Sequence, residues 1–169
     1  MSEEMYDDGT HIFVTLILVF LFDIYLLIGY KKITNIDFSS VVINQNIERV
    51  KDKPEMRWIV MDALSLDFPD ASFNAVICKA TFDAIVCGAN ATENIAKLCS
   101  EVSRVLKPGG IFIIISFGGL HSRNKYLEHD AYNWTVRSIN VPKPMVSAAA
   151  LTTPGDATGN HYVYICIKN

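Results

Sequence analysis

MRWIVMDALSLDFPDASFNAVICKATFDAIVCGANATENIAKLCSEVSRVLKPGGIFIIIS, Met56–Ser116, is the stretch on which the fold turns. Trp58–Met61 and Ala75–Cys78 are short, rich in Ile and Val, and bounded by polar or turn residues, which predicts strands. A helix-period segment follows, with Ile95, Leu98, Val102 and Val105 on one face. It is expected to stop at Lys107-Pro108-Gly109-Gly110, because Pro and paired Gly end helices. Ile111–Ile115 then reads as a strand. Near-continuous apolar strands alternating with helices predict a parallel sheet covered on both faces.

In such sheets ligands bind beyond the carboxyl ends of the strands. Asp62 closes the first of these runs, Lys79 follows the second and Ser116 the third. Upstream, Ile33–Ile36 forms another short strand that ends at Asp37. An acid there can accept hydrogen bonds from a ribose diol, and an acid at the next tip from an adenine amine. Phe38 is suited either to lie against an adenine ring or to pack in the core. Ser39–Val50 reads as a helix, capped by Ser39 or Ser40, with Val42, Ile43, Ile47 and Val50 as its apolar face. Phe68 and Phe73 are expected to anchor the loop after Asp62. Trp134–Val141 and His161–Lys168 are expected as two antiparallel edge strands.

NIDFSSVVI, then RWIVMDALSLDFPDASFNAVICKATFDAI, then EVSRVLKPGGIFIIIS together resemble class I S-adenosylmethionine-dependent methyltransferases. The resemblance is to the eukaryotic methyltransferase-like group that includes the elongation-factor lysine methyltransferases, and it runs from Lys31 to the C-terminus. It implies an α/β, Rossmann-like class I methyltransferase sheet, S-adenosylmethionine as cofactor, and methyl transfer to a protein lysine in the cytoplasm. It also implies that Asp37 holds the ribose hydroxyls, with Phe38 beside the base. Asp62 would hold the adenine amine, Ala63 would add a backbone contact and Lys79 would line the cofactor pocket. No catalytic base is assigned; His121 reads as an exposed loop histidine or a base. The chain departs from the group's pattern at Asn74, at Cys78, where an acid is common, and at Ala80, where glycine is common.

Composition bounds the alternatives. The chain has 169 residues and a net charge of −3, which suits one domain and gives no electrostatic case for a nucleic-acid partner. Cys78, Cys87, Cys99 and Cys166 show no metal-ligand spacing and read as buried free thiols.

Residues 1–30 are expected as a separate piece, with the partial methyltransferase domain at 31–169. Ile12–Tyr30 (IFVTLILVFLFDIYLLIGY) is 19 residues long with Asp23 as its sole charge, which suffices to span a bilayer as a helix. Lys31-Lys32 would then place the rest of the chain in the cytoplasm. Three readings compete: a membrane anchor, a buried element, or an insertion. Asp23 argues against lipid. Ser2–Gly9 and Tyr30–Asp37 resemble two halves that run together in the methyltransferase-like group, so Thr10–Gly29 is expected as an insertion, an extra apolar helix-like segment.

A dinucleotide-type or S-adenosylmethionine site needs glycines just after the first strand, about 20 residues before the ribose acid. Ile17–Leu21 offers only bulky apolar residues, and no two of the nine glycines are spaced G-x-G. The sheet is therefore expected to be incomplete at the N-terminus, lacking both its first strand and the glycine loop, with impaired cofactor binding. The alternative is a non-catalytic fragment or a membrane-tethered interaction protein.

Overall fold

A computed structural model describes residues 11–16, 32–51, 56–142 and 160–169. Seven strands form one sheet: β1 His11–Leu16, β2 Lys32–Asp37, β3 Met56–Val60, β4 Phe73–Lys79, β5 Leu106–Ser116, β6 Trp134–Pro142 and β7 Asn160–Lys168. Their order across the sheet is β3-β2-β1-β4-β5-β7-β6. The first five strands are parallel, and β7 runs antiparallel between β5 and β6. Among the described residues four α-helices accompany them: α1 Ser40–Arg49, α2 Thr81–Cys87, α3 Ala91–Val105 and α4 Leu120–Leu127.

The first strand, expected to be absent, is present. His11–Leu16 pairs with β2 on one side and with β4 on the other, at the centre of the sheet. These residues open the run expected to be helix-like. A short apolar run does not distinguish helix from strand by its period, and here the gap between β2 and β4 decides. The remainder of that run, 17–30, lies outside the described residues, as does the position of the missing glycine loop. Among the described residues no helix is long and apolar enough to cross a membrane.

The strand order turns back at β1. Connections made outward through β2 to β3 and outward through β4 to β5 run in opposite directions, so right-handed crossovers place α1 on one face and α2–α3 on the other. The main core lies on the α2–α3 face. There Val76, Cys78, Phe112, Ile114, Tyr164 and Cys166 of the sheet meet Ile95, Leu98, Cys99, Val102 and Val105 of α3, all fully buried. The face expected of α3 is thus the one it buries. On α1 the expected face is shifted: Ile43, Asn46 and Val50 are buried, whereas Ile47 is 42% exposed. Ser39 caps this helix, its hydroxyl accepting from the Val42 amide at 3.4 Å.

The Lys-Pro-Gly-Gly run is more than a helix stop. Helix α3 ends at Val105, and Leu106 already pairs with Phe73, while Ile111 pairs with Ala75. Lys107–Gly110 therefore bulges opposite Asn74, with Gly109 at a φ of 76°. A Cβ on Gly110 would stand 2.8 Å from the Lys107 carbonyl oxygen, so only glycine fits. Of the two C-terminal strands expected at edges, β6 is an edge and β7 is interior. The stretch Phe117–Tyr126, expected as loop, holds all of α4 but its last residue.

Candidate functional site

The tips of β2 and β3 are tied together. Asp37 pairs with Val60, and the Met61 amide donates to the Asp37 carbonyl at 3.0 Å, so pairing continues one residue beyond β3. This sets Asp37 and Asp62 at neighbouring strand ends. Each carboxylate shapes its own turn through one oxygen. Asp37 Oδ1 accepts from the Ser39 amide at 2.8 Å and Asp62 Oδ1 from the Leu64 amide at 2.9 Å. Oδ2 of neither carboxylate takes a hydrogen bond from another described residue.

Between these tips and α2 lies a cavity of about 260 Å³. Asp37, Phe38, Asp62 and Ala63 line it, together with Ile36, Met61, Leu64, Thr81, Ala84 and Ile85. Four of the five residues expected to bind the cofactor thus line one cavity. The fifth, Lys79, does not line it. Lys79 ends β4, opposite Leu16 of β1 and Ile115 of β5, two residues before cavity-lining Thr81. Phe38 does not pack in the core: it is 83% exposed at the cavity rim.

The α2 wall was not foreseen from sequence. A signal was present in the i, i+3, i+4 spacing of Phe82, Ile85 and Val86. Ala80, just before α2, has a φ of 67°, and its carbonyl accepts from the Ala84 amide at 2.9 Å. The opposite wall is the loop Met61–Ser72. Phe68 packs edge-on against Phe73, with ring centroids 5.0 Å apart, as expected of an anchor. Arg104 and Glu101 of α3 hold the same loop through several hydrogen bonds.

A second polar group joins the β5 tip to α2. Asp83 Oδ1 accepts from Arg123 Nη2 at 2.9 Å and from the Ser116 hydroxyl, and Asp83 Oδ2 accepts from the Phe117 amide at 2.9 Å. The pair is nearly buried, with side-chain exposures of 11% for Arg123 and 15% for Asp83. The Tyr164 hydroxyl donates to the Gly118 carbonyl at 2.7 Å, and burial pushes the Tyr164 phenol up to about 12.

Other chemistries find less support. Cys78, Cys99 and Cys166 are buried, as expected, whereas Cys87 is exposed. Burial raises the thiols of Cys99 and Cys166, the latter to about 12, which suppresses their thiolates near neutral pH. His121 is exposed on α4 and does not line the cavity. Among the described residues no cluster of His, Cys, Asp and Glu is arranged to hold a metal.

The cavity suits part of a ligand. Sites that enclose drug-sized molecules span roughly 300–1,000 Å³, so this one accommodates a nucleoside-sized group. Its apolar walls and two carboxylates offer flat packing surface with hydrogen-bond acceptors at the rim.

Residues 20–114 match the family described as "Methyltransferase domain". The chain is 35% identical over 117 residues to mouse EEF1A lysine methyltransferase 4, covering 64% of this chain and 46% of that protein. It is 41% identical over 130 residues to eEF1A lysine and N-terminal methyltransferase of Xenopus laevis, covering 75% of this chain and 19% of that protein. The chain thus spans about half the length, or less, of these curated relatives. Among solved structures, YcgJ from Bacillus superposes with a TM-score of 0.67 at 14% identity, covering 95% of this chain and 92% of that one. The N-methyltransferase NodS of Bradyrhizobium japonicum, in complex with S-adenosyl-L-homocysteine, also gives a TM-score of 0.67, at 13% identity, covering 94% of this chain and 78% of that one. At such identities these two likenesses speak for the fold.

Proposed function

Because the chain belongs to the methyltransferase-domain family, we propose that the cavity at the β2 and β3 tips holds the adenosine part of S-adenosylmethionine and that the domain serves methyl transfer to a protein lysine. The observation that carries this reading is the meeting of Asp37 and Asp62 on one nucleoside-sized cavity. In it, Asp37 accepts from the ribose hydroxyls, and Asp62 and the Ala63 backbone contact the adenine edge. Phe38 supplies a ring at the rim. Lys79, at the tip of β4, would line the remainder of the cofactor site. Bound S-adenosylmethionine supplies the electrophilic methyl group, while the chain's own residues bind, orient and exclude water. The acceptor class rests on the relatives named as eEF1A lysine methyltransferases.

Titration calorimetry with S-adenosylhomocysteine tests the cavity. Wild type is expected to bind, and Asp37→Ala to bind roughly 10- to 150-fold more weakly, the range expected for losing hydrogen bonds to a charged acceptor. No binding by wild type overturns the reading.

One observation favours a second reading, a domain that keeps the nucleoside cavity but turns over poorly. The sequence after β1, Ile17–Leu21, holds no glycine to let backbone approach the cofactor. Binding of S-adenosylhomocysteine without methylation of purified eEF1A would favour this second reading, whether the domain is an impaired enzyme or a non-catalytic interaction module.

A further inference from the structure

Ten residues separate Asp62 from Phe73, and this loop carries Asp62, Ala63 and Leu64 into the cavity without any helix or strand of its own. A segment of that length and irregularity keeps a fixed shape only if something holds it. Two side chains of α3 do so. Arg104 Nη2 donates to the Leu66 carbonyl at 2.8 Å, and Nη1 donates to the Phe68 carbonyl at 2.7 Å and to Asp70 Oδ1 at 2.9 Å. Glu101 Oε2 accepts from the Leu66 amide at 2.7 Å, so both backbone polar groups of Leu66, two residues beyond cavity-lining Leu64, are held from α3. Glu101 in turn orients the guanidinium, accepting from Nε at 3.0 Å and from Nη2 at 2.8 Å. The α3 backbone adds two ties: its Arg104 carbonyl accepts from the Ala71 amide and its Val105 carbonyl from the Ser72 amide.

We propose that Arg104 and Glu101 are positioning residues for the nucleoside cavity: they fix the loop wall so that Asp62 and Ala63 stand ready for the adenine edge before a ligand arrives. The proposal rests on the adenosine reading of that cavity. Neither residue lines the cavity, so any effect on binding is transmitted through the loop. The geometry requires arginine. A planar fork reaches Glu101, Leu66, Phe68 and Asp70 together, whereas an ammonium has three donors on a single atom and cannot span those acceptors.

Preorganisation of this kind lowers the ordering cost of binding. Two readouts in Arg104→Lys, with Val102→Ala as a control, test it. Val102 is a fully buried α3 residue outside the clamp, so its truncation loosens the fold without touching the loop's hydrogen bonds. The first readout is S-adenosylhomocysteine affinity by calorimetry, well below each variant's unfolding midpoint. Arg104→Lys is expected to weaken binding at least tenfold and Val102→Ala by less than twofold. The second is amide hydrogen exchange in the unliganded protein. Arg104→Lys is expected to speed exchange at Leu64, Leu66, Ala71 and Ser72 at least tenfold, leaving the β5 amides of Ile113 and Ile114 unchanged. If Arg104→Lys binds within twofold of wild type, or Val102→Ala loses as much affinity, the positioning role is overturned. If wild type does not bind the nucleoside, the adenosine reading falls, and the exchange pattern alone decides whether the clamp exists.

Discussion

The Met61 amide donates to the Asp37 carbonyl at 3.0 Å, one step past the end of β3. That bond fixes the relation between two acidic side chains distant in sequence. Had β3 slipped by one residue, its side chains would have exchanged faces and Asp62 would have left the cavity. The register is instead held by five consecutive pairs, Ile33 with Met56 through Asp37 with Val60. Ile33 and Ile36 are buried on opposite faces of β2, which gives the strand little freedom to shift.

Phe38 separates a ligand role from a structural one. Its ring is 83% exposed, so Phe38→Ser removes almost no packing and is expected to leave the unfolding free energy from urea denaturation within about 0.5 kcal/mol of wild type. An aromatic contact to a base contributes about 1 kcal/mol, so S-adenosylhomocysteine binding should weaken by roughly fivefold. Unchanged affinity in calorimetry would remove Phe38 from the site.

Much of this was readable in the residues. The strands Ala75–Cys78 and Ile111–Ile115 are apolar runs with clear boundaries, and the α3 face follows a 3.6-residue period, so both declare themselves locally. The acids at the strand tips followed from those boundaries. What stayed hidden depends on partners remote in sequence. His11–Leu16 is one portion of a long apolar run, and only the vacancy between β2 and β4 makes it a strand. That β7 is interior, with β6 at the edge, is likewise a matter of pairing. The hydrogen bonds of Arg104 to the loop link residues 34 to 38 positions apart, and no local pattern reports them. Lys79 was read correctly as a strand-tip residue, but that Thr81, two residues later, and not Lys79 lines the cavity depends on how α2 packs.

Asp83 and Arg123 form a nearly buried pair that joins α2, the β5 tip and α4. Removing one partner leaves the other charge buried and uncompensated, at a cost of about 3–5 kcal/mol. Asp83→Asn and Arg123→Met are each expected to lower the unfolding free energy by that order. The double variant should lose clearly less than the sum of the two. Gly118→Ala should destabilise through the same group, because a Cβ there would come 2.2 Å from Arg123 Cζ. Additive losses in a double-mutant cycle by urea denaturation would show that the pair does not act as a unit.

Ala80 stands where the resembled methyltransferases commonly have glycine, and its φ is 67° with ψ at −31°. A Cβ in left-handed backbone costs roughly 1–2 kcal/mol, and glycine gives back part of that gain through unfolded-state entropy. Ala80→Gly is therefore expected to stabilise the protein by about 0.5–1 kcal/mol. The measurement is the urea midpoint at constant m-value, and a lower midpoint would show that the backbone is relaxed there.

The clamp also gives stability a pH dependence of defined sign. The Arg104 guanidinium, hydrogen-bonded to Glu101, holds that carboxyl below the usual carboxylate range, against a smaller opposing effect of burial and with help from the Leu66 amide. Glu101, and secondarily Asp70, raise Arg104 further above its ordinary value, so the arginine stays charged throughout. A carboxyl whose folded pKa is depressed contributes stability that is fully present above its unfolded value, about 4.3, and is lost as pH falls through the folded value. Wild type should therefore lose stability below about pH 4.5 more steeply than Glu101→Gln, which has no proton to take up at that position. Asp70 also binds Arg104 but is 79% exposed, so Asp70→Asn serves as the comparison and should leave the curve close to wild type. Urea unfolding from pH 6 to pH 3.5 reads both slopes. Parallel curves for wild type and Glu101→Gln would show that the Glu101–Arg104 pair does not couple protonation to folding.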